Sequence, residues 1–174
     1  MAASHATHVA EPASDACTPT TDLRRAAVAA IARALRPWLA DGFAWYVKPK
    51  NVHWHMRGRH VRDDHLVLDE HSTHIFAMTD ASAERARQRG TTTLHSISAS
   101  ARHQRVQDTN AADITPQAML AELGADNPHL TRFLHATHAV CEASHDVATA
   151  RVIEHWMDET ERRTWFVAAT TGDR

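Results

Sequence analysis

The sequence predicts an all-α fold of four long helices, with tight links at two junctions and one long crossover. Three observations carry that prediction. From Thr21 onward the chain is rich in Ala, Leu and Arg and lacks the alternating Val, Ile and Tyr runs that build strands. Apolar residues recur at helical spacing, as at Ala27, Ile31, Leu35, Trp38 and Leu39. Turn and cap signals at Gly58, Gly90, Thr115-Pro116 and 144–146 divide the chain into helix-length pieces. With 174 residues, 43% apolar and 23% charged, the chain suits one globular domain rather than separate cofactor and substrate domains.

The first helix is expected from Thr21, whose hydroxyl caps it, to about Trp54; Pro37 and Pro49 each remove a backbone donor and predict a kink or break within it. A second helix follows Gly58 and runs to Arg89. Asp63 and Asp64 sit near its positive end, Arg85, Arg87 and Arg89 near its negative end, and Gly90 stops it. The connection from Gly90 to Asp113 is long, with a short helix expected within 93–105. Thr115 caps the third helix with Pro116 in its first turn, and Gly124 and Pro128 are expected to interrupt its early turns. A link at 144–146 leads to a fourth helix over 147–169. Tight links make neighbouring helices antiparallel, whereas the long connection lets the second and third run parallel, which is a one-crossover, ferritin-like topology.

Residues 1–20 read as a flexible arm, 21–170 as the bundle and 171–174 as a short C-terminal tail. A net charge of −2 offers no basic excess for nucleic acid or a membrane surface. Cys17 and Cys141 form no CxxC pair, so neither a disulfide framework nor a zinc ribbon is expected. With no signal-peptide pattern and no apolar run of spanning length, the expected setting is the cytoplasm, with no membrane contact.

The unusual count is 15 histidines, a residue type that serves metal sites and proton chemistry more than core packing. The second helix carries His65 and Asp69 four apart, then Asp80 and Glu84 four apart, so each pair shares one face. Asp69 and Asp80 fall on nearly the same face but roughly 16 Å apart along the axis, too far for one metal centre. Two copies of this helix packed antiparallel across a twofold axis would bring His65 and Asp69 of one chain opposite Asp80 and Glu84 of the other, making two sites per dimer. His53, beside the turn, completes a set of two imidazoles and three carboxylates suited to Fe(II) and, less selectively, to Zn(II) or Mn(II). Either pair alone is more often surface decoration. His55, His60, His71, His74, His129, His135, His138, His145 and His155 read as solvated helix positions. Trp156, Trp165 and Phe166 read as packing against the bundle, and His5, His8 and Cys17 sit in an arm without fixed geometry.

The run Lys50-Asn51-Val52-His53-Trp54-His55-Met56-Arg57-Gly58, then His65-x3-Asp69-Glu70, then Asp80-x3-Glu84, closely resembles the signature of the Dps family, the mini-ferritins. The resemblance covers about residues 21–170, including Thr92-Thr93-Leu94, Thr115-Pro116, Asp126-Asn127 and the ending Asp158-Glu159-x-Glu161-Arg162-Arg163-Thr164-Trp165-Phe166. It implies a hollow homododecamer that oxidises Fe(II), preferably with hydrogen peroxide, at di-iron sites shared by twofold-related subunits, and stores the ferric product. The implied ligands are His53, His65 and Asp69 from one chain and Asp80 and Glu84 from its neighbour. Two irons per peroxide would release no hydroxyl radical. Trp54, next to His53, is placed to intercept a stray radical or to fill the dimer interface. Asp146, Glu154 and Asp158 are implied to line a negative threefold channel for entering iron, although Arg151 departs from the acidic pattern of that stretch.

DNA-binding members commonly use a Lys/Arg-rich arm. Residues 1–20 hold neither, and Thr171-Gly172-Asp173-Arg174 adds a single Arg, leaving only a weak contact at low pH through His5 and His8. Two functions compete on this reading: a ferroxidase store that protects the cell and its DNA, and a structural nucleoid protein whose metal sites, filled by zinc, only hold the dimer together. The five-residue site favours the first. A monomeric di-iron oxygenase is third, because the geometry needs two chains.

Overall fold

The computed structural model describes residues 21–58, 61–110 and 114–172. The arm with His5, His8 and Cys17, together with His60 and the last two residues, lies outside the described residues. Five helices follow in order: α1 (Arg25–His55), α2 (Val61–Gln88), α3 (Ile97–His103), α4 (Pro116–Ala143) and α5 (Val147–Gly172). There is no strand among the described residues.

Helix α1 starts at Arg25 rather than at Thr21, and its N-cap residue Arg24 contributes no side-chain cap. The Thr21 hydroxyl is spent locally instead, accepting from the Leu23 N–H at 3.3 Å. Past that point α1 runs unbroken through Pro37 and Pro49, so the expected break does not occur. Each proline costs a helix roughly 3 kcal/mol. Trp38, Leu39 and Ala40 beside the first, and Trp45, Lys48 and Val52 around the second, are buried, and that packing outweighs the lost hydrogen bonds. Helix α4 likewise continues through Gly124 and Pro128, correcting the expected interruption. At Gly124 the missing side chain admits α5, since a Cβ there would stand 3.3 Å from Val167 Cγ1.

The ends follow the sequence signals. Gly90, at φ +74°, closes α2; its N–H reaches the Arg87 carbonyl at 2.9 Å and the Thr91 N–H reaches that of Ala86 at 3.2 Å. Ser96 caps α3 through the Ala99 N–H at 3.1 Å, and Thr115 caps α4 through the Ala118 N–H at 3.2 Å. Helix α4 ends in the same two-bond motif as α2, with His145 in the left-handed position at φ +57°. Asp146 then caps α5, accepting the Thr149 N–H at 3.1 Å. Helix α5 continues to Gly172, three residues past the expected end and into the expected tail.

The chain forms two helical hairpins, α1 with α2 and α4 with α5, docked through α1 on α4 and α2 on α5, while α3 lies on α1. Their shared core holds Ile31, Leu35, Trp38, Ile75, Met78, Leu130, Leu134 and Ile153, and a second cluster of Val52, Met56, Leu68, Met119, Leu120 and Leu123 fills the end near the α1–α2 turn. Burying each Leu, Ile or Met side chain stabilises the fold by roughly 1.5–3 kcal/mol. Two buried ion clusters tie distant segments together. Asp41 of α1, fully buried, accepts Arg105 Nε at 2.8 Å and the Val106 N–H at 3.3 Å, fixing the crossover just past α3. Lys48 of α1 pairs with Glu122 of α4 at 2.8 Å and with Asp126.

Candidate metal site

His53 stands on the last turn of α1 and His65 on the first turns of α2. The turn between these helices brings their rings to 4.1 Å between centroids, tilted by 50°. His53 Nδ1 lies 3.3 Å from the His65 carbonyl oxygen, a contact that fixes the ring of His53 and leaves its other nitrogen for a ligand. Asp69, one turn beyond His65, is exposed and ion-paired with Lys50 of α1. Lys50 is the largest influence holding the Asp69 carboxyl below the usual carboxylate range, and His53 and His65 add to it. These three side chains therefore share one patch as an ionised carboxylate beside two imidazoles.

The patch alone does not make up a metal site. No three His, Cys, Asp or Glu side chains among the described residues are grouped to hold a metal within one protomer. Asp80 and Glu84 lie farther along α2, both exposed, and neither side chain makes a hydrogen bond or ion pair with another described residue. Around this patch the surface is unusually apolar: Val47, Trp54, Leu66, Phe76 and Ile97 are 50–78% exposed. Four of them, all but Leu66, line an open cavity of about 760 Å³ walled by α1, α3, the crossover and α4, with Phe76 reaching in from α2. A contiguous apolar surface of this kind marks a protein contact face.

Lys50 is the residue that sequence reading missed. Its signal was present: it precedes His53 by three positions, one helical turn, so it was bound to share that face.

The three residues implied to line a channel differ in their surroundings. Asp146 has a fully buried carboxylate, engaged by Arg85, Arg89 and Thr149, because it caps α5 and closes the link to α2. It lines no surface. Glu154 is exposed but paired with His138 at 2.9 Å, and Asp158 is exposed on the same helix. His138 is thus a hydrogen-bond partner of Glu154 rather than a solvated position. His71 is 8% exposed, not solvated, and burial pushes it down to about 4, so it is neutral at ordinary pH. Trp156 is buried as expected, whereas Trp165 and Phe166 are exposed, correcting their reading as bundle packing.

Comparison with known proteins agrees with this architecture. A ferritin-like domain model matches residues 32–173. The chain is 28% identical over 143 residues to DNA protection during starvation protein 1 of Deinococcus radiodurans, covering 82% of this chain and 69% of that protein. Antigen TpF1 of Treponema pallidum is 29% identical over 144 residues, covering 83% of this chain and 81% of that protein. The crystal structure of that antigen superposes with a TM-score of 0.82 at 26% identity, covering 89% of this chain and 99% of the other. Dps of Vibrio cholerae O1, described as a member of a broad superfamily of ferritin-like diiron-carboxylate proteins, superposes with a TM-score of 0.82. At 20% identity, over 90% of this chain and 98% of the other, that likeness speaks for the fold. The helix order, the crossover and these matches define a ferritin-like protein. Within that class, the chain belongs to the Dps family.

Proposed function

We propose that this protein is a cytoplasmic mini-ferritin that oxidises Fe(II), preferably with hydrogen peroxide, and stores the ferric product in a dodecameric shell. Its role is to keep iron and peroxide from damaging the cell and its DNA. The observation that carries this reading is the division of ligands on the protomer. His53, His65 and Asp69 converge at the α1–α2 turn, while Asp80 and Glu84 stand exposed and uncommitted farther along α2. That arrangement suits a site completed by a second chain, and the apolar face beside it suits the contact that would complete it.

Iron is the substrate. Asp69 supplies a carboxylate already ionised, and the imidazoles of His53 and His65 supply nitrogen donors, a mixed set that suits Fe(II) and also accepts Zn(II) or Mn(II) as competitors. Entering iron must displace Lys50 from Asp69, and the ammonium left beside the site then offsets negative charge gathered there. Two ferrous ions each give one electron to one peroxide, whose O–O bond breaks to yield two waters with two protons taken up. Trp54, 64% exposed on the same face, is positioned to be oxidised in place of a diffusing target or to seal the contact.

The test adds Fe(II) and then peroxide to the anaerobic protein, followed by size exclusion with light scattering and iron detection. The expected result is iron co-eluting with a dodecamer and lost in an Asp69→Ala/Glu84→Ala variant. An assembled shell that takes up no iron would overturn the ferroxidase reading, and a monomer would overturn the shared site.

A further inference from the structure

The crossover is fastened to the bundle through one buried carboxylate. Asp41 of α1 has 0% exposure. Its Oδ1 accepts the Arg105 N–H at 2.5 Å and the Val106 N–H at 3.3 Å, and its Oδ2 accepts Arg105 Nε at 2.8 Å and Nη2 at 2.5 Å. Arg105 is the one residue that forms an ion pair with Asp41 among the described residues. Its guanidinium also rests on the Phe133 ring of α4, 3.7 Å from the centroid, and its side chain is 33% exposed. Four hydrogen bonds at this end of the crossover thus depend on a single negative charge. The same end is otherwise held by Ser100 Oγ, which donates to the Ala40 carbonyl at 3.4 Å, and by Val106 in the core. Farther along, Thr109 donates to Glu122 of α4, which also pairs with Lys48 of α1.

The two ties respond differently to acid. Burial raises the Glu122 carboxyl, but Lys48 and Thr109 outweigh it and hold the group below its ordinary value, so this tie keeps its charge in mild acid. At Asp41 burial outweighs the donors of Arg105 and Val106, and the carboxyl is raised. A carboxyl raised in the fold binds its proton more tightly there than in the unfolded chain, so Asp41 takes the proton up while the protomer stays folded. Arg105 has no acceptor to offer the neutral acid, and the charge-assisted bonds are lost without replacement. Ile97, Ser100, Gln104 and Asn110 of the crossover line the cavity of about 760 Å³ beside the metal patch. We propose that the crossover is an acid-released strap: protonation of Asp41 lets the end from 97 to 106 lift off α1 while Thr109 stays tied to Glu122, opening that wall of the apolar cavity. The device lies inside one protomer and owes nothing to the iron reading.

The Arg105 and Val106 amides bond the carboxylate directly, so they report its state. Hydrogen exchange of the full chain, read by mass spectrometry on peptides covering 97–110 and corrected for the intrinsic effect of pH, should accelerate about tenfold or more between pH 7 and about pH 4. Peptides from α4 and α5 should not change. The rise should follow a one-proton titration with its midpoint above the ordinary carboxylate value of about 3.9. Asp41→Asn should exchange fast already at pH 7 and show no titration. If that variant fails to fold, Arg105→Gln, which keeps the carboxylate and both amides, should move the midpoint to higher pH, because the cation favouring the charged form is gone. Exchange in 97–110 that stays slow down to about pH 4 would overturn the proposal. So would an acceleration shared by every helix, an Asp41→Asn protein as slow as wild type, or a midpoint that Arg105→Gln leaves in place.

Discussion

Replacing Asp146 with Ala separates a structural role from a channel role. The Asp146 carboxylate accepts Arg89 Nε at 2.8 Å, Thr149 Oγ1 at 2.6 Å and the Thr149 N–H at 3.1 Å, with Arg85 Nη2 at 3.4 Å. Its side chain has 0% exposure, against 16% and 17% for the two arginines. Removing one partner of a buried ion pair costs about 3–5 kcal/mol, and losing an N-cap costs about 1 kcal/mol. Because the arginines can rotate partly into water, the lower end applies, and the sum is about 4 kcal/mol. For a chain of this size each kcal/mol moves Tm by about 2–4 °C, so Asp146→Ala should melt roughly 8–16 °C below wild type. The assay is differential scanning calorimetry at fixed protein concentration, since assembly makes Tm concentration-dependent. Asp146→Ser keeps a cap acceptor and should recover about 1 kcal/mol of the loss. Burial raises the Asp146 carboxyl, but the donors of Arg89 and Thr149 outweigh it and hold the group below its ordinary value. Its contribution is therefore complete above the unfolded pKa of about 3.9 and disappears as pH falls through the lower folded value. The gap between wild type and Asp146→Ala should stay constant from about pH 8 to 5 and narrow only below about pH 4. A gap under about 1 kcal/mol at pH 7 would refute the buried-clamp reasoning. Slower iron uptake with unchanged melting would return Asp146 to the channel.

Three further outcomes follow from the same geometry. Lys50→Met should free Asp69 and tighten Zn(II) binding by at most a few-fold by isothermal titration, because an exposed pair competes only weakly; unchanged or weaker binding would mean Lys50 does not compete. Lys48→Met should leave Glu122 and Asp126 facing each other without their cation and cost about 3 kcal/mol in a thermal melt. Burial lowers Lys48 but its hydrogen bonds to Asp126 and Glu122 raise it further, so its contribution is full below the unfolded value of about 10.4 and is lost as pH rises through the folded one; the wild-type advantage should shrink only in that alkaline range. His145→Gly removes a side chain from a left-handed position at φ +57° and should raise stability by about 1 kcal/mol, read as a Tm rise of about 2–4 °C.

Helix identities and ends were legible where a local cause sets them. Gly90, Ser96, Thr115 with Pro116, and the 144–146 link each act within a few residues, and the helices start or stop there. Prolines misled because the cost of each is local while the packing that repays it, such as Trp38 and Trp45 against α2 and α5, is tertiary. The site was legible as a face, since spacing on one helix fixes which side chains share it. The surroundings of individual groups were not. His71 looks like any helix histidine until α5 covers it, and Asp146 looks like a surface acid until Arg85 and Arg89, 61 and 57 residues earlier, close on it.

The buried clamps on Asp41, Lys48 and Asp146 have something in common beyond their charges. Each joins the first part of the chain to the part after α3, across separations of 64, 78 and 57 residues. Each helical hairpin can form early from nearby contacts, since short loops close quickly. The Lys48 and Asp146 clamps can engage only when the hairpins have docked in the right register, because a slip of one turn leaves an ion stranded in the core. They therefore serve as a proofreading step in folding: a misaligned bundle is held open and reversible, and only a correctly threaded protomer becomes rigid enough to present its apolar face to another.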